Sequence, residues 1–328
     1  MTTTGWSRGR SATTARTLVT CGLFAALAAG APPVSAYVRY QSPTGCAYGW
    51  RSRNVPITGY PQGLAGLDES QIATAATDAA LAWSKGSEAL ASCTDLDLQV
   101  TMKTVNDAPP AAKFDHLNNI VFRGDTWCPD PPICSANERM ALAITSVFAG
   151  TKSGVIFDAD IEVNAVDFQW GDLVTTPDQS KQDLQNALTH EMGHFIGLDH
   201  TCYSADPMHP RPAPVDNNGN LVPSCAARFL SDAVRSATMF ASADPGDTSK
   251  RTLEPDDQQA VCDSYPLGMD DPMACPASGS NGCDIARDAS AEGALGATRF
   301  GVWGGLLLAS VASAAWVRAR RVRARRRS

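Results

Sequence analysis

Residues 189–200 read THEMGHFIGLDH. Three of the chain's five histidines lie in this stretch, and a glutamate follows the first of them. Positions four apart on an α-helix share a face, so His190 and His194 can aim their imidazoles at one point. Glu191 sits at the edge of that face, close enough to hold a metal's water without binding the metal itself. Gly197 can turn the chain sharply, through backbone angles that a side chain resists. His200 then returns as a third ligand. Three neutral imidazoles leave a zinc ion its full charge and one open position. The spacing H-E-x-x-H therefore predicts a zinc site with a glutamate general base beside it.

The flanks fit an active-site helix. A polar loop opens at Pro177 and Asp178, a helix begins near Ser180, and Gly197 stops it. Upstream, DESQIATAATDAALAWSKGSEAL places Ile72, Ala76, Ala79, Ala80 and Trp83 at helical spacing, which predicts a helix ending near Gly86. Alternating runs predict strands at 54–58, 96–105, 118–122, 141–148 and 155–163. Residues 201–250 are rich in Pro, Asp, Asn and Ser and predict a long irregular loop. A last short helix fits 254–262, with Pro255 in its first turn and Asp256 and Asp257 near its positive end.

Charge and cysteine bound the setting. The net charge is −7, but the two ends are basic. With three arginines in 1–36 and seven in 301–328 set aside, residues 37–300 hold 17 basic and all 34 acidic residues, a net of −17. So acidic a body does not bind nucleic acid through bulk charge. Residues 1–36 read as a signal peptide: Arg8, Arg10 and Arg16, an apolar run, then Val34-Ser35-Ala36 before Tyr37. An exported chain favours disulfides, and Cys46, Cys93, Cys128, Cys134, Cys202, Cys225, Cys262 and Cys275 form an even set. Proximity in sequence suggests Cys128–Cys134 and Cys202–Cys225; the other pairings stay open.

The full string H-E-x-x-H-x-x-G-x-x-H resembles the signature of the metzincin metalloproteases. In that family a methionine turn lies beneath the metal, and SATMFA with Met239 resembles it more closely than Met208 in DPMHP. The helix bearing Trp83, the run GVIFDADIEVN and the closing RTLEPDDQQAVCDSYP resemble the matrixin branch. Ala241 stands where some metzincins carry a zinc-adjacent tyrosine, which agrees with matrixins. The resemblance covers about residues 45–266. It implies an α+β fold: a twisted, mostly parallel sheet with one antiparallel edge strand, the H-E-x-x-H helix and a C-terminal helix. It also implies a monomeric zinc endopeptidase acting on protein or peptide substrates, with His190, His194 and His200 as ligands and Glu191 as base. Structural calcium in that branch makes Asp158, Asp160 and Glu162 candidate calcium ligands. His116 and His209 read as exposed bystanders, with a place in the cleft as the alternative for the latter. Only nine residues lie between the expected cleavage site and Cys46, too few for a folded prodomain, so control without a long propeptide is expected. The alternative is a surface binding or adhesion module that kept the fold and lost activity.

The organisation expected is a signal peptide at 1–36, a catalytic domain at 37–266 and a linker at 267–299. An apolar segment at 300–317 and a basic tail at 318–328 follow. The segment FGVWGGLLLASVASAAWV is 18 uncharged residues, just long enough to span a bilayer as a helix. With Cys283 before it and RARRVRARRR after it, the end resembles the C-terminal sorting signals of bacterial surface proteins, most closely the myxobacterial type. That resemblance makes Cys283 the processing site. It implies contact with membrane or sorting machinery, and a protein exported to the cell surface, the outer membrane or the medium.

Overall fold

The strand at 54–60 alternates exposed and buried residues along NVPI and becomes wholly buried at its end. The computed structural model describes residues 37–103, 107–109, 111–127, 135–205, 213–269, Cys275, 295–300 and 303–304. The chain divides into a unit of residues 1–34 and a unit of 35–328, and the described residues belong to the second. The signal-peptide reading therefore lies outside them.

In chain order the elements are β1 (Val38–Arg39), β2 (Gly49–Trp50), β3 (Asn54–Tyr60), α1 (Glu69–Ala82), β4 (Asp97–Met102) and β5 (Asn119–Arg123). There follow α2 (Ala136–Arg139), β6 (Ala143–Gly150), β7 (Val155–Asn164), β8 (Trp170–Gly171), β9 (Gln182–Asp183), α3 (Leu184–Phe195) and β10 (Leu198–Asp199). The last are α4 (Asp232–Ser236), β11 (Ser242–Ala243), α5 (Pro255–Ser264), β12 (Leu295–Phe300) and β13 (Trp303–Gly304). The main sheet runs β12-β6-β7-β5-β3-β4, with β2 paired to β7. Strands β4, β3, β5 and β7 are parallel, and β6 is antiparallel to β7. The fold is thus α+β, with a mixed sheet and a C-terminal helix.

Local chemistry fixes the helices. Asp68 caps α1 by accepting from the Gln71 amide at 2.9 Å, while Gln71 returns the favour by accepting from the Asp68 amide at 3.0 Å. This reciprocal pair satisfies two amides that a helix start leaves open. Ile72, Ala76, Ala79 and Ala80 are its buried face. The helix ends at Ala82, earlier than Gly86, because Trp83 leaves helical geometry to become buried. The small alanines let α1 lie close against α3. Together with Ile57, Ile161, Leu188, Met192 and Phe195 they form the core on one face of the sheet.

Two disulfides tie distant parts of this body together, Cys93–Cys262 and Cys46–Cys275, and Cys202–Cys225 closes a loop after the histidines. The last is the pair that proximity suggested. Cys128 and Cys134 lie outside the described residues, as do Met208, His209 and Cys283.

The strand antiparallel to the parallel set is β6, and β12 pairs antiparallel beyond it, from Leu295 opposite Gly150 to Phe300 opposite Thr145. One expectation is corrected: the membrane contact expected from 300–317 is not supported. Among the described residues no helix is long and apolar enough to cross a membrane. The described part of that segment is extended instead: Phe300 closes β12, and Trp303–Gly304 pairs with Ser242–Ala243. An open strand edge offers unpaired N–H and C=O groups along its whole length, and Leu295–Phe300 takes up those of β6.

Candidate metal centre

The helix α3 starts at Leu184 rather than near Ser180, because Asp183 is its cap and accepts from the Asn186 amide at 2.8 Å. Arg251 fixes that cap, donating to both Asp183 carboxylate oxygens at 2.6 and 2.8 Å and to Asp172 at 2.6 Å. Two indoles hold the rest of the helix: Trp83 Nε1 donates to the Thr189 carbonyl at 2.7 Å and Trp50 Nε1 to that of Phe195 at 2.8 Å. At the helix end, the Tyr265 hydroxyl donates to the Ile196 carbonyl at 2.7 Å. The histidines therefore project from a helix clamped along its length.

Gly197 sits at φ +94°, and a Cβ there would lie 2.5 Å from the Tyr48 carbonyl oxygen. Both facts require glycine. The turn it makes brings His200 back to His190 and His194. Their Nε2 atoms form a near-equilateral triangle, with sides of 3.1, 3.1 and 3.0 Å. A tetrahedral ion with bonds of about 2.0–2.1 Å places its ligand nitrogens about 3.3 Å apart, so the triangle is of a size to hold a small ion. The rings are oriented from behind. His190 Nδ1 lies 2.7 Å from the Thr238 carbonyl, and His194 Nδ1 lies 2.8 Å from that of Leu198. A carbonyl only accepts, so each Nδ1 carries the proton and each Nε2 keeps its lone pair. Burial, followed by the nearby Lys250 charge, holds His190 well below the usual imidazole range and so neutral. Among the described residues these three histidines are the group that can hold a metal ion.

Compared with known proteins, the chain matches no family model and no curated sequence. What the site can do therefore rests on its own geometry.

Glu191 is fully buried, and its Oε2 accepts from the Thr145 hydroxyl at 2.6 Å. The same hydroxyl lies 3.2 Å from the Glu191 carbonyl. Thr145 stands on β6, so the sheet reaches across to fix the carboxylate that the helix supplies. Met239 is buried directly beneath α3: a Cβ on Gly193 would fall 2.1 Å from its sulfur. Its turn is held by Asp257, which accepts from the Thr238 amide at 2.7 Å and the Met239 amide at 3.3 Å. Since Thr238 also orients His190, the first turn of α5 is coupled through Met239's turn to a ring of the histidine triangle. Burial pushes the Asp257 carboxyl up to about 6.

The acids expected to hold calcium are engaged with other groups. Asp158, Asp160 and Glu162 share a face of β7 as the alternation predicts, but each serves another partner. Asp158 Oδ2 accepts from the amides of Asp115 and His116 at 2.6 and 2.7 Å. Asp160 takes the Asn119 amide and side chain at 3.0 and 2.8 Å, and the Lys113 amide at 3.1 Å. Glu162 pairs with Arg123 at 2.7 Å. A loop of residues 111–119 donates backbone N–H groups to Asp158 and Asp160, and among the described residues the three acids do not form a metal-holding group. His116 is exposed, as expected.

Sequence reasoning missed Thr145, Gly193, Lys250 and Asp257. Lys250 is buried, donates to the Phe240 carbonyl, and is pushed by burial down to about 8. The capping position of Asp257 was legible; its reach to the turn beneath the metal site was not.

Proposed function

We propose that the protein is a zinc-dependent endopeptidase of the metzincin type, resembling the matrixins, and that it acts on exported proteins. The observation that carries this reading is the convergence of three Nε2 atoms, those of His190 and His194 tautomer-fixed, beside a buried carboxylate that a second element orients. When bound in the triangle, zinc supplies Lewis-acid chemistry: it acidifies a water and polarises a peptide carbonyl.

The chain's own residues do the rest. Glu191 takes a proton from the attacking water as its oxygen bonds to the carbonyl carbon, and the same carboxyl delivers a proton to the departing amine nitrogen. The Thr145 hydroxyl donates to Oε2 and holds the carboxylate in its orientation beside the histidines. The apolar core around Met192, Phe195 and Met239 keeps bulk water from the back of the site. An inactive binding module has no use for a threonine poised on that carboxylate, which is why the enzymatic reading is preferred.

The sequence of residues 1–36 and the disulfides support export, and fractionation of cells expressing the full chain tests it. The metal reading is tested by zinc analysis of the purified protein against His194→Ala. One zinc per chain in the wild type and less than about a tenth of that in the variant is expected. Equal zinc in the two removes this ligand set.

A further inference from the structure

Lys250 is a buried charged group that the activity just proposed does not use. The residue is only 3% exposed. It lies in the 3₁₀ turn Ser249–Arg251, which packs against α3.

Its place relative to the site is set at both ends. The Lys250 amide donates to Asn186 Oδ1 at 2.6 Å. Asn186 lies four residues before His190 and eight before His194, so the three share one face of α3. At the other end, the ammonium donates to the Phe240 carbonyl, and Nζ lies 5.6 Å from the centre of the Phe240 ring. Phe240 directly follows Met239 and comes two residues after Thr238, whose carbonyl orients His190. The lysine thus bridges the histidine face of α3 and the turn beneath the metal centre. The next two residues are tied to the same two elements. Arg251 holds the Asp183 cap of α3, and the Thr252 carbonyl accepts from the Thr238 hydroxyl at 3.1 Å.

Burying an ammonium costs free energy that an apolar side chain of similar length does not. Packing the turn against α3 therefore does not by itself account for a lysine. Its positive charge is retained by the opposite charges of Asp247, Asp257 and Glu191, although burial lowers the group to about 8. That charge reaches the histidines. After burial itself, Lys250 is the strongest influence against a proton on His190, ahead of His194 and His200. The same Coulomb repulsion that disfavours a proton on an imidazole opposes a dication held between imidazoles.

We propose that Lys250 is a positioning residue acting through its charge: a fixed cation beside the histidine triangle that loosens the hold on the metal ion and adds positive potential where a peptide carbonyl is attacked. Negative charge grows on the carbonyl oxygen in the transition state, and preorganised positive groups in a buried site act most strongly there. The consequence for hydrolysis rests on the peptidase reading; the effect on metal binding does not.

The test compares the full chain with its variants Lys250→Met, Lys250→Gln and Lys250→Arg at neutral pH. Methionine keeps an unbranched stem without the charge. Glutamine is neutral but keeps donors for the Phe240 carbonyl, and arginine keeps the charge. Zinc affinity is measured by competition with a chromophoric chelator, folding by the denaturation midpoint, and hydrolysis with a quenched fluorescent peptide at full zinc loading. Zinc should bind at least about threefold tighter in the two neutral variants and within about twofold of wild type in the arginine variant. Peptide kcat should fall at least about fivefold in the neutral variants while KM stays within about twofold. A lysine that merely braces the turn gives the opposite sign for zinc, because a displaced Thr238 carbonyl frees the His190 ring and weakens the ligand. Weaker or unchanged zinc affinity in a folded neutral variant therefore overturns the proposal, and glutamine decides the matter where methionine does not fold. Tighter zinc with measurable but unaltered kcat overturns the role in hydrolysis. Tighter zinc with no hydrolysis in any of the proteins, wild type included, leaves the charge acting on the metal site and removes the peptidase reading instead.

Discussion

Gly193 is the residue on which the packing beneath the metal centre turns. A Cβ added there meets the Met239 sulfur at 2.1 Å and the Trp83 ring at 2.9 Å. Gly193→Ala should therefore cost about 1–3 kcal/mol by overpacking, seen as a lower denaturation midpoint with unchanged slope. Thr145 makes a different prediction, because it touches the carboxylate rather than the core. Thr145→Val keeps the shape and removes a hydrogen bond to a charged group, which contributes about 1.5–3 kcal/mol. Peptide kcat should fall roughly 10- to 100-fold while KM stays within about twofold, and Thr145→Ser should restore most of the rate. A fall in KM and kcat together, or no rescue by serine, would assign Thr145 to packing alone. At this scale the sequence showed the three histidines and Glu191 because their spacing is helical and local. It hid Thr145, 46 residues away from Glu191, because nothing in a strand's alternation says which of its residues will meet a helix side chain.

Among the elements, α1, β3, β5, β7, α3 and α5 were legible from periodicity, capping residues and Pro255. Their ends were less so, since Trp83 and Asp183 answer to partners elsewhere in the chain. The turn at Gly197 was legible for a stricter reason. Its φ of +94° and the Tyr48 carbonyl 2.5 Å from any Cβ leave no other residue. Gly197→Ala should displace the His200 side of the triangle, and zinc affinity should drop at least tenfold by competition with a chromophoric chelator. Wild-type affinity in that variant would mean that His200 is not brought back by this turn. Two elements defied their local pattern. The acids of β7 read as exposed or as cation ligands, yet a loop with its own N–H groups covers them. The apolar stretch that begins at Phe300 read as a membrane span, yet its described part is strand, because an open sheet edge competes for the same backbone groups.

Over the whole molecule, burial of carboxylates sets how stability responds to pH. Burial pushes Asp160 up to about 7 and Asp257 up to about 6. A carboxyl raised in the folded state holds its proton where the unfolded chain has already lost it. Its contribution is full below the unfolded value near 4 and is lost as pH rises through the folded value. Unfolding midpoints should therefore carry a component that declines between about pH 4 and 7, and Asp160→Asn should flatten it. A midpoint whose slope over that window is the same in the variant would refute the assignment to Asp160. The long-range crosslinks Cys46–Cys275 and Cys93–Cys262 could not be read from the sequence, since pairing depends on which ends the sheet brings together. Cys202–Cys225 could, because its loop is short.

The central claim is that the three histidines and Glu191 hydrolyse peptides together, and Glu191→Gln tests it most directly. Glutamine keeps the shape and leaves all three histidines in place, but it cannot take a proton. Hydrolysis of a quenched fluorescent peptide is compared at equal zinc content. The account predicts chelator-sensitive cleavage with Glu191 present and a loss of about 10²- to 10⁴-fold with glutamine. A variant that keeps one zinc and cleaves within about threefold of its parent, where loss of a general base costs far more, would contradict it.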